Sequence, residues 1–260
     1  MTAAAYRDLL RQLRAHQLVP HDPIAVFVAG SRVRGWGNES SDIDLYVICA
    51  QPWHAIGTSR AMVSVAPGAI SVLRREVGHR HCDIQYWHHD QVSEVLGRVS
   101  WEEFDSNLSA DILLTATEAD LLERLTYGIA LEGQDWLDDR RRELERSALR
   151  PVLVTRALRW TSVYIEDARG QLSSRDVESA VLSARIAFGH AIRALLADNG
   201  KYAQSAKWFA RQLRETNQSL LSFDDYWDIE TMRGYDPADP GMWVEDVIMV
   251  CDKIALGVQV

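Results

Sequence analysis

Two aspartates separated by a single residue, Asp42 and Asp44, stand at the start of an apolar run. Side chains alternate between the two faces of a β-strand, so both carboxylates are expected on one face while Ile43 points to the other. Neighbouring carboxylates repel each other, and a cation between them relieves the repulsion. Oxygen ligands with a combined charge of about −2 suit Mg²⁺, which usually keeps waters and substrate phosphates as its other ligands. We therefore expect Asp42 and Asp44 to bind Mg²⁺.

A glycine and a serine, Gly30 and Ser31, follow an earlier apolar run. Glycine lets the backbone approach a ligand closely, and the serine contributes a hydroxyl and an N–H group at a predicted helix start. Such a turn is suited to holding a phosphate. The two motifs together predict a phosphate site and a divalent-metal site within one short stretch.

Residues 26–48, VFVAGSRVRGWGNESSDIDLYVI, resemble the signature of the DNA polymerase β superfamily of nucleotidyltransferases, which is Gly-Ser, a loop, and Asp-apolar-Asp in a strand. The matching residues are Gly30, Ser31, Ser41, Asp42, Ile43, Asp44 and Leu45. The short loop and the Ser-Asp-Ile-Asp-Leu core are more similar to those of the enzymes that modify aminoglycosides and other small molecules than to those of the large polymerases. The resemblance implies a Mg²⁺-dependent transferase that moves a nucleoside monophosphate from an NTP, with ATP expected, to a hydroxyl and releases pyrophosphate. It also implies that Gly30 and Ser31 grip the triphosphate.

The superfamily takes a third carboxylate from a later strand of the same sheet. Asp83 lies in the predicted strand 82–87, where Ile84 and Tyr86 point to the opposite face. The resemblance therefore implies that Asp83 is the third metal ligand and the candidate base. Glu76, on the preceding predicted strand, is the next choice for the third carboxylate. The alternative for Asp83 is an ordinary solvent-facing aspartate of the strand, without a functional role.

Related enzymes often place a lysine of their helical domain against the triphosphate. Lys207, in the stretch GKYAQSAKWFARQL, is the candidate for that contact. Its ammonium would neutralise phosphate charge. The alternative is a surface lysine beside a core tryptophan, Trp208.

The spacing of apolar residues divides the chain into a strand-rich part and a helical part. Strands are predicted at 24–29, 43–49, 69–77 and 82–87, and residues 58–66 are ambiguous. Helices are predicted at 2–17, 90–98, 117–131, 134–149, 152–169, 176–199, 203–216, 223–232 and 240–256. The predicted fold class is α+β, with a mixed-sheet nucleotidyltransferase domain over residues 1–115. An all-helical bundle over 116–260 would bind the acceptor, as in the small-molecule enzymes that the motif resembles.

Charge and composition narrow the class of partner. The chain of 260 residues has 28 basic and 37 acidic residues, a net charge of −9, and its basic residues form no dense run. Proteins that hold a long nucleic acid usually need a lysine- and arginine-rich surface. We therefore expect that this protein does not bind a long nucleic acid. An acidic chain attracts cations, which favours a small cationic acceptor such as an aminoglycoside-like sugar.

Location and assembly are less closely defined by the sequence. No apolar run approaches the length of a membrane span, and the first residues contain scattered arginines in place of a signal-peptide core. The three cysteines, Cys49, Cys82 and Cys251, form no CxxC motif and cannot all pair. A cytoplasmic protein without a membrane partner, either monomer or homodimer, is the expectation.

Two other functions remain open at this point. The acceptor could be a macromolecule, such as the 3′ end of a tRNA or a protein side chain, as in toxin-like nucleotidyltransferases. The protein could also be a nucleotide-binding module without catalysis. The presence of both Asp42 and Asp44 argues against the second alternative, because two repelling carboxylates have no evident use without a cation.

Overall fold

A computed structural model describes residues 3–106, 114–202, 205–216 and 218–259 of the chain. The described residues up to Ser147 form one compact unit, and those from Ala148 onwards form a second. The first unit contains a mixed β-sheet and the second is helical. The predicted α+β fold class is therefore confirmed.

The sheet of the first unit has six strands in the order β3-β4-β5-β2-β1-β6. They are β1 (Ala25–Ala29), β2 (Ile43–Cys49), β3 (Ser59–Met62), β4 (Ala69–Val77), β5 (Arg80–His88) and β6 (Ile129–Glu132). Among these described strands, β2 and β5 pair in parallel and the other neighbours are antiparallel. Strand β2 is buried along almost its whole length, whereas buried residues in β5 mostly alternate with partly exposed ones.

The described helices of the first unit are α1 (Ala3–Ala15), α2 (Gly30–Val33), α3 (His89–Gly97), α4 (Trp101–Ser106), α5 (Ala116–Tyr127) and α6 (Gln134–Glu145). Leu9 and Leu13 of α1 share one core with Leu45 of β2 and Ile84 of β5. Because side chains alternate along a strand, Asp44 and Asp83, which precede Leu45 and Ile84, are directed to the opposite face of the sheet.

The described part of the second unit consists of α7 (Leu149–Ser173), α8 (Val177–Asp198), a 3₁₀ turn (Ala206–Trp208), α9 (Phe209–Arg214), α10 (Phe223–Glu230) and α11 (Pro240–Gly257). The Asp176 carboxylate caps α8 by accepting a hydrogen bond from the Ser179 N–H. By length and hydropathy alone α8 would qualify as a membrane span, but 67% of its apolar window is buried in the structure. Its apolar surface is thus accounted for by its role as the central core helix.

Residues 116–147 belong to the first unit, whereas the sequence placed the start of the helical domain at residue 116. The predicted helix over 117–131 is wrong beyond Tyr127, because residues 129–132 form the edge strand β6 beside β1. Gly128 lets the chain pass close to β1 at this point, since a Cβ there would lie 2.7 Å from the Phe27 ring. A four-residue edge strand has too few residues to show its own period, so the apolar pattern of the helix seemed to continue.

Candidate nucleotide and metal site

Asp44 and Asp83 are brought together by the parallel pairing of β2 and β5. The two residues are direct partners in the register of these strands. Neighbouring strands lie about 4.8 Å apart, and directly opposed residues share a face of the sheet. The structure therefore places two carboxylates side by side, while Asp42 lies just before β2 and is half-buried.

Gly30 lies directly against the carboxylate of Asp44. Strand β1 runs antiparallel to β2 with Ala29 opposite Asp44, so the chain turns into Gly30 beside that carboxylate. Gly30 has a φ of +80°, and a Cβ there would lie 1.6 Å from Asp44 Oδ2. Only glycine combines this backbone conformation with this approach. Ser31 follows in α2, whose first residues have no side-chain cap.

Gly30→Ala is expected to destabilise the protein by at least about 2 kcal/mol, because it combines a strained φ with a clash. Gly35→Ala is the matched control, since Gly35 has a φ of +71° but nothing within 4 Å of an added Cβ. Urea unfolding of both variants measures the difference. Equal losses of stability in the two variants would show that Gly30 does not need to approach Asp44.

The Asp44 carboxylate lies in a largely buried and mostly acidic environment. Burial raises the pKa of Asp44 above its ordinary value; Arg124 lowers it, and Asp120, Asp83 and Asp42 raise it further. A buried carboxylate among other carboxylates is unfavourable unless a positive charge compensates it. Carboxylate oxygens are the type of ligand preferred by Mg²⁺, the ion that the motif predicts.

A hydrogen-bonded network from α5 supports the same face of the sheet. The Tyr46 hydroxyl donates to Asp120 Oδ2 at 2.8 Å, and Arg124 Nη2 lies 2.9 Å from Asp120 Oδ1. Arg124 also donates to the Tyr127 hydroxyl. Sequence reasoning missed Asp120 and Arg124, although their spacing of four residues on a predicted helix is typical of an ion pair.

Asp83 already has a cationic partner in the protein. Arg74 on β4 donates from Nε to Oδ1 at 2.7 Å and from Nη2 to Oδ2 at 2.9 Å. Among the described residues, no group of three or more His, Cys, Asp or Glu side chains is arranged to hold a metal ion. The Arg74 side chain is 76% exposed, so solvent screens this bidentate ion pair.

Glu76 and Lys207 are the two remaining candidates from the sequence. Glu76 pairs with His81 in the sheet register, and its side chain is 58% exposed beside His79. Lys207 belongs to the second unit, where it is exposed in the 3₁₀ turn with its Nζ 5.4 Å from the centroid of the Trp208 ring. The role of Lys207 stays a prediction.

Comparison with known proteins supports the fold. No protein-family model matches the sequence, and no curated protein matches it. Among solved structures, the chain is similar to a nucleotidyltransferase-like protein from Exiguobacterium sibiricum 255-15, with a TM-score of 0.53 and 14% identity. The match covers 96% of this chain and 74% of that chain. The mixed sheet and the helical C-terminal region are thus consistent with a nucleotidyltransferase fold, while the aminoglycoside type stays a prediction.

Proposed function

We propose that the protein is a Mg²⁺-dependent nucleotidyltransferase that moves a nucleoside monophosphate, with ATP as the expected donor, to a hydroxyl of a small molecule. The observation that carries this proposal is the packing of Asp44 against Gly30 and in register with Asp83. It unites a carboxylate pair with a close-approach backbone turn, which is the combination required for a triphosphate and its metal. The nucleotidyltransferase-like fold supports the same reaction class.

Asp42 and Asp44 would hold the metal. When bound, Mg²⁺ supplies positive charge that neutralises the triphosphate and the charge developing in phosphoryl transfer. Arg124 lowers the pKa of Asp44 against the effect of burial, so it helps to keep that carboxylate ionised and able to bind a cation. The Asp120 carboxylate in turn holds Arg124 at 2.9 Å.

The remaining roles follow from position. Backbone N–H groups at Gly30 and Ser31 would hold the β- and γ-phosphates, because a glycine turn lets a ligand approach the main chain. Asp83 would accept the proton of the acceptor hydroxyl after its carboxylate leaves Arg74. The acceptor oxygen then forms a bond to the α-phosphorus, the bond from that phosphorus to the β-phosphate oxygen breaks, and pyrophosphate leaves with its electron pair.

A small cationic acceptor is proposed on the basis of charge. The net charge of −9 produces a field that favours positively charged partners, and aminoglycoside-like sugars carry both amines and hydroxyls. A long nucleic acid would be repelled by the same field.

Product analysis tests the proposal. The protein is incubated with each NTP, Mg²⁺ and one of three acceptor sets: a library of amino sugars and other small alcohols, total tRNA, or a protein mixture. Mass spectrometry is expected to find a nucleoside monophosphate adduct in the first set, with an equal amount of pyrophosphate. An adduct found only on tRNA or protein would identify a macromolecular acceptor, and nucleotide binding with no product in any set would identify a binding module.

Lys207→Ala is expected to raise the KM for the nucleotide about tenfold with a smaller change in kcat, because it removes one cation from the triphosphate. Lys253→Ala, an exposed lysine on α11, is the control and should leave both constants unchanged. Steady-state kinetics with varied nucleotide measures both variants. Wild-type constants in Lys207→Ala would remove this residue from the site.

A further inference from the structure

A cavity of about 490 Å³ in the first unit lies at the opposite end of the central strands from Asp44. Its walls include Tyr86 and His88 near the end of β5. His88 pairs with Cys49 of β2, and the rise of about 3.3 Å per residue places Cys49 roughly 16 Å along the strand from Asp44. The cavity is therefore separate from the nucleotide and metal site.

One wall of this cavity is a rigid aromatic surface. The rings of Trp53 and Tyr86 lie with their centroids 5.2 Å apart and their planes inclined at 59°, and both residues line the cavity. Trp53 is half-buried, whereas Tyr86 is only 3% exposed. The Tyr86 hydroxyl donates to the Leu18 carbonyl oxygen at 3.1 Å, which fixes the ring from behind. The Trp53 ring, held against this fixed Tyr86, presents the accessible face on which a planar ring can stack.

A row of residues across three strands leads from this wall to a cation. Ser71 of β4 pairs with Tyr86 on one side and with Arg60 of β3 on the other. Opposed residues share a face and neighbouring strands lie about 4.8 Å apart, so Arg60 stands roughly 10 Å from Tyr86, measured between backbones. The order along the row is aromatic ring, hydroxyl and guanidinium, and all three residues line the cavity.

The charge of the lining is opposite to that of the chain. The protein has 37 acidic residues, yet none of them is among the described residues that line the cavity. The ring of His88 is engaged, with Nε2 2.7 Å from the Ala50 carbonyl oxygen and Nδ1 accepting from the Asp90 N–H. Arg60 is exposed and has no ion pair within the part of the chain that the structure describes, so its charge is available to a ligand.

We propose that this cavity binds a small molecule made of a planar aromatic ring and one anionic group. The ring stacks on Trp53, with Tyr86 at its edge, and the anionic group pairs with Arg60 while Ser71 donates a hydrogen bond. Carboxylates and phosphates share this chemistry, because a guanidinium binds either through two parallel N–H bonds.

Calorimetric titration of the full chain tests the proposal with matched probes. 2-Naphthoate carries the ring and the charge, 2-naphthamide keeps the shape without the charge, and decahydronaphthalene-2-carboxylate keeps the charge without the flat ring. The wild-type protein is expected to bind 2-naphthoate at least about tenfold more tightly than either analogue. 2-Naphthyl phosphate, titrated in parallel, shows which anion the cavity prefers.

Two exposed strand arginines provide the variant and its control. Arg60→Gln should lose the preference for naphthoate over naphthamide, whereas Arg75→Gln, which is outside the cavity lining, should keep it. Equal binding of the three probes to the wild type, or equal losses in the two variants, would overturn the proposal. So would competition by ATP, since it would locate the naphthoate in the nucleotide site.

Discussion

Asp44→Asn is expected to abolish nucleotidyl transfer while the protein remains folded. Asp44 lies on β2, between Ala29 of β1 and Asp83 of β5, and its carboxylate contacts Gly30. An amide has the same shape but no charge to hold Mg²⁺, so transfer should fall by at least about a thousandfold. Pyrophosphate release measures the loss, and wild-type turnover in the variant would remove Asp44 from the metal site.

The same variant is expected to be more stable than the wild type at pH 7, by on the order of 1 kcal/mol. Burial raises the pKa of Asp44, so its ionised form destabilises the folded state. This penalty is absent below the ordinary carboxyl pKa of about 4 and grows as the pH rises through that value to the raised one. Urea unfolding should therefore show the advantage of Asp44→Asn at pH 7 and its disappearance near pH 3.5. An Asn variant less stable than the wild type at pH 7 would contradict this account.

Asp83→Ala is expected to reduce transfer by about a thousandfold or more, because it removes a candidate metal ligand and the candidate base together. Nucleotide affinity should change by less than about tenfold, since Gly30, Ser31 and the other two aspartates remain. Turnover and nucleotide titration on the same preparation separate the two effects.

Glu76→Ala is the matched control for Asp83→Ala. Its carboxylate is on the neighbouring strand, but its register partner is His81 and not Asp83. The control should retain wild-type turnover. Normal transfer by Asp83→Ala together with an inactive Glu76→Ala would show that the third carboxylate comes from β4.

The sequence accurately predicts the bounds of two strands, because the pattern of apolar residues that marks a strand is local. The bounds 43–49 and 69–77 are those of β2 and β4. The alternation of Asp44 with buried Leu45 shows which face each side chain takes. The helix predicted over 2–17 rests on an equally local pattern, since Leu9 and Leu13, both buried in α1, recur at helical spacing.

The partners of the carboxylates depend on pairing between distant segments. That Asp44 stands beside Asp83 follows from the order of the strands in the sheet, which no local pattern specifies. The contact of Tyr46 with Asp120 joins residues 74 positions apart and is equally invisible in the sequence.

The Arg74 pair is an exception that the sequence could have shown. Gly78 and His79 both have positive φ, at 54° and 64°, and form a two-residue turn between β4 and β5. Such a turn sets the register of the hairpin, and counting back from it places Arg74 opposite Asp83. The ion pair between Arg74 and Asp83 therefore follows from a turn motif.

Transfer of label from the donor nucleotide is the most direct test of the central claim. The protein is incubated with Mg²⁺ and the accepted small molecule, and with ATP labelled either at the α- or at the γ-phosphorus. The account predicts that the α-label appears on the acceptor and the γ-label in pyrophosphate, in equal amounts. Appearance of the γ-label on the acceptor or in free phosphate would contradict it, because the protein would then be a kinase or a phosphohydrolase.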